Sequence, residues 1–267
     1  MLKLISVVLL LCAAGAASSF EHISQPGQTG ADALKHNNCV GCHSLVSNQA
    51  GLSTKFLEWR VSPHAPASVG CERCHGGDPI AKDAKQAHRG IFPPSDARSL
   101  LSGAKVADTC GACHQAIARS FVESPHYQRL KTSGMGPSCS SCHAHMGASV
   151  RKTSSEAESL CTYCHNTQNG VLPPRPDIPA DSKAVIDAIQ RTQYMLTWID
   201  SLLTEADKQN IAVNDEKNEA SNVKASLQGV QIAWHTFNLT GVMEMANKTF
   251  IKAAEVKDRL NKKVHHD

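Results

Sequence analysis

The chain has 267 residues, long enough for one large domain or two small ones. A formal net charge of +3 is too small to mark a nucleic-acid-binding protein. Three Trp, three Tyr and six Phe are too few to fill an ordinary core of this size, so something other than aromatic side chains must occupy the interior.

The N-terminus reads as a secretory leader over residues 1–19. Lys3 supplies the positive start, Leu4 to Ala14 the apolar run, and Ala14-Gly15-Ala16 a small-residue cleavage site. The run is too short for a permanent membrane span. Cys12 follows Leu11, not the small residue that a lipid-anchoring cysteine wants, and is expected to be lost with the leader. No later stretch is long and apolar enough to cross a bilayer, so no transmembrane segment is expected after cleavage.

Eleven cysteines are present, and setting Cys12 aside leaves ten. All ten fall into five copies of one pattern. These are CVGCH (Cys39, Cys42, His43), CERCH (Cys71, Cys74, His75), CGACH (Cys110, Cys113, His114), CSSCH (Cys139, Cys142, His143) and CTYCH (Cys161, Cys164, His165). This is the signature of covalent c-type haem attachment. Residues three and four apart share one face of a helical turn. Both thiols can therefore add to the haem vinyl groups while the histidine reaches the iron. A disulfide framework gives no reason for a His after every second Cys, and zinc sites would take such pairs in twos, whereas five is odd. Haem propionates would also reverse the small positive charge.

The motifs belong to a longer repeat. From Cys39 the order is CVGCH, EWRVSPH ending at His64, CERCHGG, then His88. From Cys110 it is CGACH, SFVESPH ending at His126, then CSSCHAH, which carries His145. Trp59 and Phe121 each lie five residues before the SPH histidine. CTYCH closes the second cassette as CGACH closes the first. In each SPH, Ser62 or Ser124 is a good helix N-cap and Pro63 or Pro125 suits the first helical position. Both His64 and His126 are thus expected in the first turn of a helix, which aims the imidazole. Residues 20–170 are expected to form the haem-bearing domain.

Residues 171–182, VLPPRPDIPADS, read as a Pro-rich linker in which no helix runs. Over 183–267 a helical region follows. Val185, Ile189, Leu196, Ile199 and Leu203 recur at helical spacing, and so do Val223, Leu227, Val230, Trp234 and Phe237. A third run goes from Val242 past Ile251 to Leu260. Two or three helices in an antiparallel hairpin or bundle are expected, with breaks at Gly241 and at the polar run Asn214 to Asn218.

Five motif histidines leave nine others. His22, His265 and His266 sit near the chain ends and are set aside as terminal residues. Six candidates remain for the far side of the irons: His36, His64, His88, His126, His145 and His235. His36 is three residues before Cys39, too near to cap its own haem, though it could reach a neighbour. His235, in AWHTFN, is either a hydrogen-bonded core histidine or the missing fifth ligand. Met135 and Met146 are alternative donors. The expectation is bis-His ligation at most sites, which favours low potentials compared with His/Met.

The segments CGACH…FVESPH…CSSCHAH and CVGCH…EWRVSPH…CERCHGG resemble the cytochrome c-554 and hydroxylamine oxidoreductase group of multihaem cytochromes. The resemblance covers Cys39 to His165, about half the chain. The helices after the last motif, with a His near the second, also look like the C-terminal helices of hydroxylamine oxidoreductase and pentahaem nitrite reductase. It implies a mainly α fold with much irregular loop, in which a multihaem cytochrome c core precedes a C-terminal helical hairpin or bundle. It implies closely packed haem pairs, with His64, His126, His88 and His145 as distal ligands. Two departures matter. No CxxCK occurs, which pentahaem nitrite reductases use at the catalytic haem. Hydroxylamine oxidoreductases carry eight haems and a cross-linking tyrosine, with which Tyr194 cannot be aligned.

The expected function is electron transfer by an exported pentahaem cytochrome, periplasmic or at the cell surface. Its partners would be a quinol-linked or membrane donor and a terminal reductase or extracellular acceptor, with no nucleic acid and with oligomerisation possible. The alternatives are a haem oxidoreductase subunit of nitrogen or sulfur oxyanion metabolism, which needs one open iron, and a subunit of an extracellular haem filament. With six distal candidates for five irons nothing forces an open site, so the carrier reading is preferred over a catalyst.

Overall fold

A computed structural model of the chain describes residues 34–45, 52–144, 153–168 and 174–265. The leader and His145 fall outside these. Every regular element among the described residues is helical, as the sequence led us to expect. The cysteine-rich region is built of short helices joined by turns: α1 (Asn38–Leu45), α2 (Leu52–Val61), α3 (Glu72–His75), α4 (Ala84–Ala87), α5 (Val106–Gly111), α6 (Gln115–Val122), α7 (Pro125–Ser133), α8 (Cys139–His143) and α9 (Ser154–Thr162). Three long helices follow: α10 (Ile178–Lys208), α11 (Asn214–Ala233) and α12 (Leu239–His265), with a 3-10 turn at Trp234–Thr236.

The long helices fold for an ordinary reason. Val185, Ile189, Leu196 and Ile199 of α10 meet Val223, Leu227 and Val230 of α11, and Ala246, Ala253, Val256 and Leu260 of α12 close the same core. Apolar residues at helical spacing bury one stripe of each helix. Exposed flanks are tied by Lys224 to Asp200 at 2.7 Å, Lys217 to Asp207 at 2.8 Å, and Arg259 to Glu219. The buried Glu216 carboxylate meets Lys263 at 2.8 Å.

The cysteine-rich region has no such core. Its buried apolar residues are Trp59, Val106, Ala107, Phe121, Tyr127, Leu130 and Ala157, and only Ala107, Phe121, Tyr127 and Leu130 form a cluster. Chain of this length cannot hold a fold on so little burial alone. The shortage of aromatic residues noted in the sequence therefore falls on this half.

Four local expectations are corrected. Helix α10 begins at Ile178, inside the stretch read as a helix-free linker over 171–182, because Pro179 occupies its first turn, where no backbone N–H is needed. The break between α10 and α11 lies at residues 209–213, with Asn210 at φ 56°, and the polar run Asn214 to Asn218 is the first turn of α11. Gly241 lies inside α12; the second break comes earlier, at Phe237, whose φ is 58°. Phe237 itself is off the helical stripe to which its spacing assigned it.

The two SPH segments also differ. Ser124 caps α7, its hydroxyl accepting the Tyr127 N–H at 3.1 Å, with Pro125 in the first turn as expected. Ser62 begins no helix: its hydroxyl donates to the Trp59 carbonyl at 2.7 Å and accepts the His64 N–H at 3.2 Å, closing a turn after α2.

Candidate functional site: five thiol pairs and the imidazoles that face them

Each motif histidine follows a short helix or turn that carries its two cysteines. Cys110–His114, Cys71–His75 and Cys161–His165 each close a backbone hydrogen bond from the histidine N–H to the first cysteine carbonyl, at 2.8 to 2.9 Å. That single helical turn puts both thiols and the imidazole on one side. None of the ten is in a disulfide; Cys42, Cys113 and Cys164 are exposed and the other seven half-buried. Burial, reinforced by Cys39 and Glu72, pushes the Cys71 thiol up to about 11. Burial likewise raises Cys39, Cys74 and Cys161. A catalytic thiolate would be shifted the other way.

The imidazoles meet across the fold in pairs. His43 of α1 faces His88 at 6.1 Å between ring centroids with planes at 75°. His114 faces His64 at 6.1 Å and 74°. His165 faces His126 at 5.9 Å and 67°. His143 faces His235 at 6.1 Å with planes only 12° apart. Each pair joins one motif histidine to one histidine outside the motifs. Two metal–nitrogen bonds of about 2 Å, plus about 1 Å from each nitrogen to its ring centre, add up to about 6 Å. The separation fits an iron held between the two rings. Among the described residues no three His, Cys, Asp or Glu side chains converge on a metal position. Paired imidazoles suit an ion whose other positions are filled by a macrocycle.

Local structure explains how each distal ring is aimed. After CERCH the chain reverses at Gly76 and Gly77, with φ of 77° and 85°. A Cβ on Gly77 would stand 2.4 Å from the Ala87 carbonyl oxygen, so only glycine permits this approach. The reversal brings back α4, capped by Asp83, and His88 follows as its C-cap with Nδ1 2.8 Å from the Ala84 carbonyl. His64 sits in the turn that Ser62 closes, beneath Trp59, whose Nε1–H donates to the Val69 carbonyl at 2.9 Å. His126 is in the first turn of α7. His235 lies in the 3-10 turn, its Nδ1 2.9 Å from the Gln231 carbonyl.

Burial lowers the basicity of His75, His143, His165 and His235, and takes His126 down to about 4. These rings are therefore neutral at physiological pH, the form that binds metal.

The remaining candidates are placed as follows. His75 is half-buried, near enough to His43 for that ring to depress its basicity further. His36 is exposed, in the turn before α1. Met135 is exposed. Met146, like His145, lies outside the described residues. Tyr194 is exposed on α10, in a shallow groove with Arg191, Trp198 and Phe250.

The first four motifs are joined in chain order. Ahead of and within α1, Asn37 donates to the Glu72 carboxylate at 2.8 Å and the Asn38 N–H donates to the Pro79 carbonyl at 2.7 Å, tying the first motif to the second. Helix α3 packs on α5, and α5 on α8. The thiols of Cys110 and Cys139 hydrogen-bond to each other, which raises Cys110 and lowers Cys139. Helix α9 lies along α10, with the Cys161 thiol hydrogen-bonded to Ser182.

Comparison with known proteins agrees. Residues 14–76, which include the first two motifs, match the family described as cytochrome c554 and c-prime. The C-type polyheme cytochrome OmcB of Geobacter sulfurreducens is 30% identical over 155 residues, covering 55% of this chain and 19% of OmcB. The chain is similar to multihaem c-type cytochromes. The C-type polyheme cytochrome OmcC of the same species is 28% identical over 169 residues, covering 63% of this chain and 19% of OmcC. The chain thus spans about a fifth of the length of these relatives. No solved structure matches it. Among the described residues no helix is long and apolar enough to cross a membrane.

The sequence missed one contributor to this site. Phe237 lies 4.3 Å from the His126 ring at 86° and 6.4 Å from Phe121. Its position depends on a left-handed residue between two helices, which no periodicity signals.

Proposed function

We propose that this cytochrome is a pentahaem electron carrier in which each CxxCH motif binds one haem through two thioethers. The motif histidines 43, 75, 114, 143 and 165 would hold the irons from one side. His88, His64, His235 and His126 would hold the first, third, fourth and fifth from the other. His145, six residues after Cys139 and outside the described residues, is left for the haem of His75.

The observation that carries this reading is the four imidazole pairs at 5.9 to 6.1 Å, each joining a motif histidine to a different partner. Bound haem supplies one-electron chemistry, and the chain supplies its spacing, axial ligands and surroundings. Two protein ligands on an iron leave no position for substrate, which favours relay over catalysis. The chain-order contacts between the first four motifs, from Asn38 with Pro79 through Cys110 with Cys139, support a path for electrons along them.

The leader-like N-terminus supports export, with work in the periplasm or at the cell surface. There it would pass electrons from a quinol-linked or membrane donor to a terminal reductase or an extracellular acceptor, alone or as an oligomer.

Intact mass and haem quantitation of purified protein test the count, and EPR of the oxidised protein tests the ligation. Five haems per chain and low-spin signals alone are expected. Fewer haems would remove the pentahaem reading, and a stoichiometric high-spin signal would replace the carrier with an enzyme having an open iron.

A further inference from the structure

The axial histidines differ in what their outer nitrogens meet. His88 and His235 each present Nδ1 to a helix carbonyl, of Ala84 at 2.8 Å and Gln231 at 2.9 Å. A ligand imidazole whose N–H donates to a carbonyl becomes more basic, which stabilises the ferric state and lowers the haem potential. His126 and His165 have no such partner among the described residues: the Nδ1 atom of each is buried and makes no hydrogen bond there. What His126 does meet is the Phe237 ring, 4.3 Å away between centroids and perpendicular at 86°. Perpendicular contact lets an N–H edge point at a π face, an acceptor weaker than a carbonyl.

Phe237 is held in this place by structure built for it. Its φ of 58° is an unfavourable conformation for a non-glycine residue. The Phe237 N–H donates to the Trp234 carbonyl at 3.0 Å, and the Thr236 hydroxyl donates to the Ala233 carbonyl at 2.8 Å and accepts the Asn238 N–H at 3.2 Å. Its ring is braced by Phe121 at 6.4 Å and Trp234 at 6.0 Å.

We propose that Phe237 is a positioning residue for the His126 ligand: its ring face takes the His126 Nδ1–H, fixes the imidazole plane and keeps water away, so that the haem between His126 and His165 sits at a higher potential than the haem between His143 and His235. The proposal rests on the axial reading of these four histidines. The same turn, Trp234 to Phe237, thereby sets both sites, supplying a carbonyl-bonded ligand to one and a π-bonded neighbour to the other. An electron entering this pair of haems would settle on the one held by His126.

The test is an EPR-monitored redox titration of the holoprotein. Phe237→Ala, which admits water to Nδ1, should shift one potential downward and change the anisotropy of one low-spin signal, with the others unmoved. Phe237→Leu keeps the site dry and folded but removes the ring face; it should alter the same signal. Phe237→Tyr retains the face and should restore both the signal and the potential. Unchanged potentials and spectra in the Ala and Leu variants would overturn the role of Phe237. His126→Ala is the control: it should turn that same signal high-spin, and five intact low-spin signals there would instead overturn the axial reading itself.

Discussion

Replacing His235 by alanine separates two readings that the sequence left open. If His235 is a hydrogen-bonded histidine and nothing more, His235→Ala loses the bond to the Gln231 carbonyl at 2.9 Å. Such a bond contributes about 0.5–1.5 kcal/mol, and the spectrum would stay the same. If His235 faces an iron across from His143, one haem of five loses a ligand, so about a fifth of the haem becomes high-spin. The signal lost can be named in advance. Parallel axial planes both donate into the same iron d orbital and split its partner away, which gives a rhombic low-spin spectrum. Perpendicular planes remove that splitting and give a strongly anisotropic one. The His143–His235 planes are 12° apart, while the other three described pairs lie at 67° to 75°. His235→Ala should therefore abolish a rhombic signal and leave the strongly anisotropic ones. The α10–α12 core lies elsewhere, around Ile199, Val230 and Leu260, so helix content should persist. A full low-spin spectrum with its rhombic component intact would refute the assignment.

Without haem the two halves should part company: limited proteolysis of apo-protein is expected to digest the cysteine-rich region and leave a protected fragment beginning near Ile178. Uniform resistance along the chain would contradict the account of the missing core. Ser124→Ala should cost about 1 kcal/mol through loss of the α7 cap, lowering the melting temperature and broadening the His126 haem signal, whereas Ser62→Ala should leave that signal unchanged. Glu216 should make the C-terminal helices acid-sensitive. Burial alone would raise its carboxyl, but Lys263 at 2.8 Å, a backbone N–H and Arg259 together hold it below the usual range. A depressed folded value means stability that is present at neutral pH and lost as pH falls through the carboxylate range. Melting curves of Glu216→Gln should show a lower plateau near neutrality and a shallower fall in acid, and an unaltered acid slope would exclude Glu216 as the group responsible.

Haem chemistry was readable from the sequence because attachment is local: two thiols and an imidazole share one turn, and five copies leave little room for accident. The SPH repeats show where local reading stops. At Ser124 the tripeptide is followed by Tyr127-Gln128-Arg129 and a helix runs on. At Ser62 the next residues are Ala65 and Pro66, and a proline there removes a helical N–H and disfavours helical backbone at Ala65. His64 is consequently aimed by a turn although its motif is the same. Proline misled in the opposite direction at Pro179, where first-turn placement made it harmless. Which ring faces which was not legible at all. His64 faces the third motif's histidine and His126 the fifth's, each reaching past a nearer motif, because pairing is decided by how helices pack and not by spacing along the chain.

That packing also ties the C-terminal helices to the cysteine-rich region. A free-standing three-helix bundle would need only its own core. Here α9, carrying the last motif, packs along α10, and Ser182 reaches the Cys161 thiol. Helix α6 packs against α11 and the 3-10 turn, so that His235 arrives opposite His143 and Phe237 beside His126. Two of the four observed imidazole pairs therefore depend on residues 178–238: one for the His235 ring itself, the other for the Phe237 ring that braces His126. The bundle's conventional hydrophobic core gives these helices a rigid position that the sparsely packed cysteine-rich region cannot supply for itself. Rigidity is transferred through the turn at Phe237, where a strained backbone, the His235 ring and an aromatic brace occur within three residues.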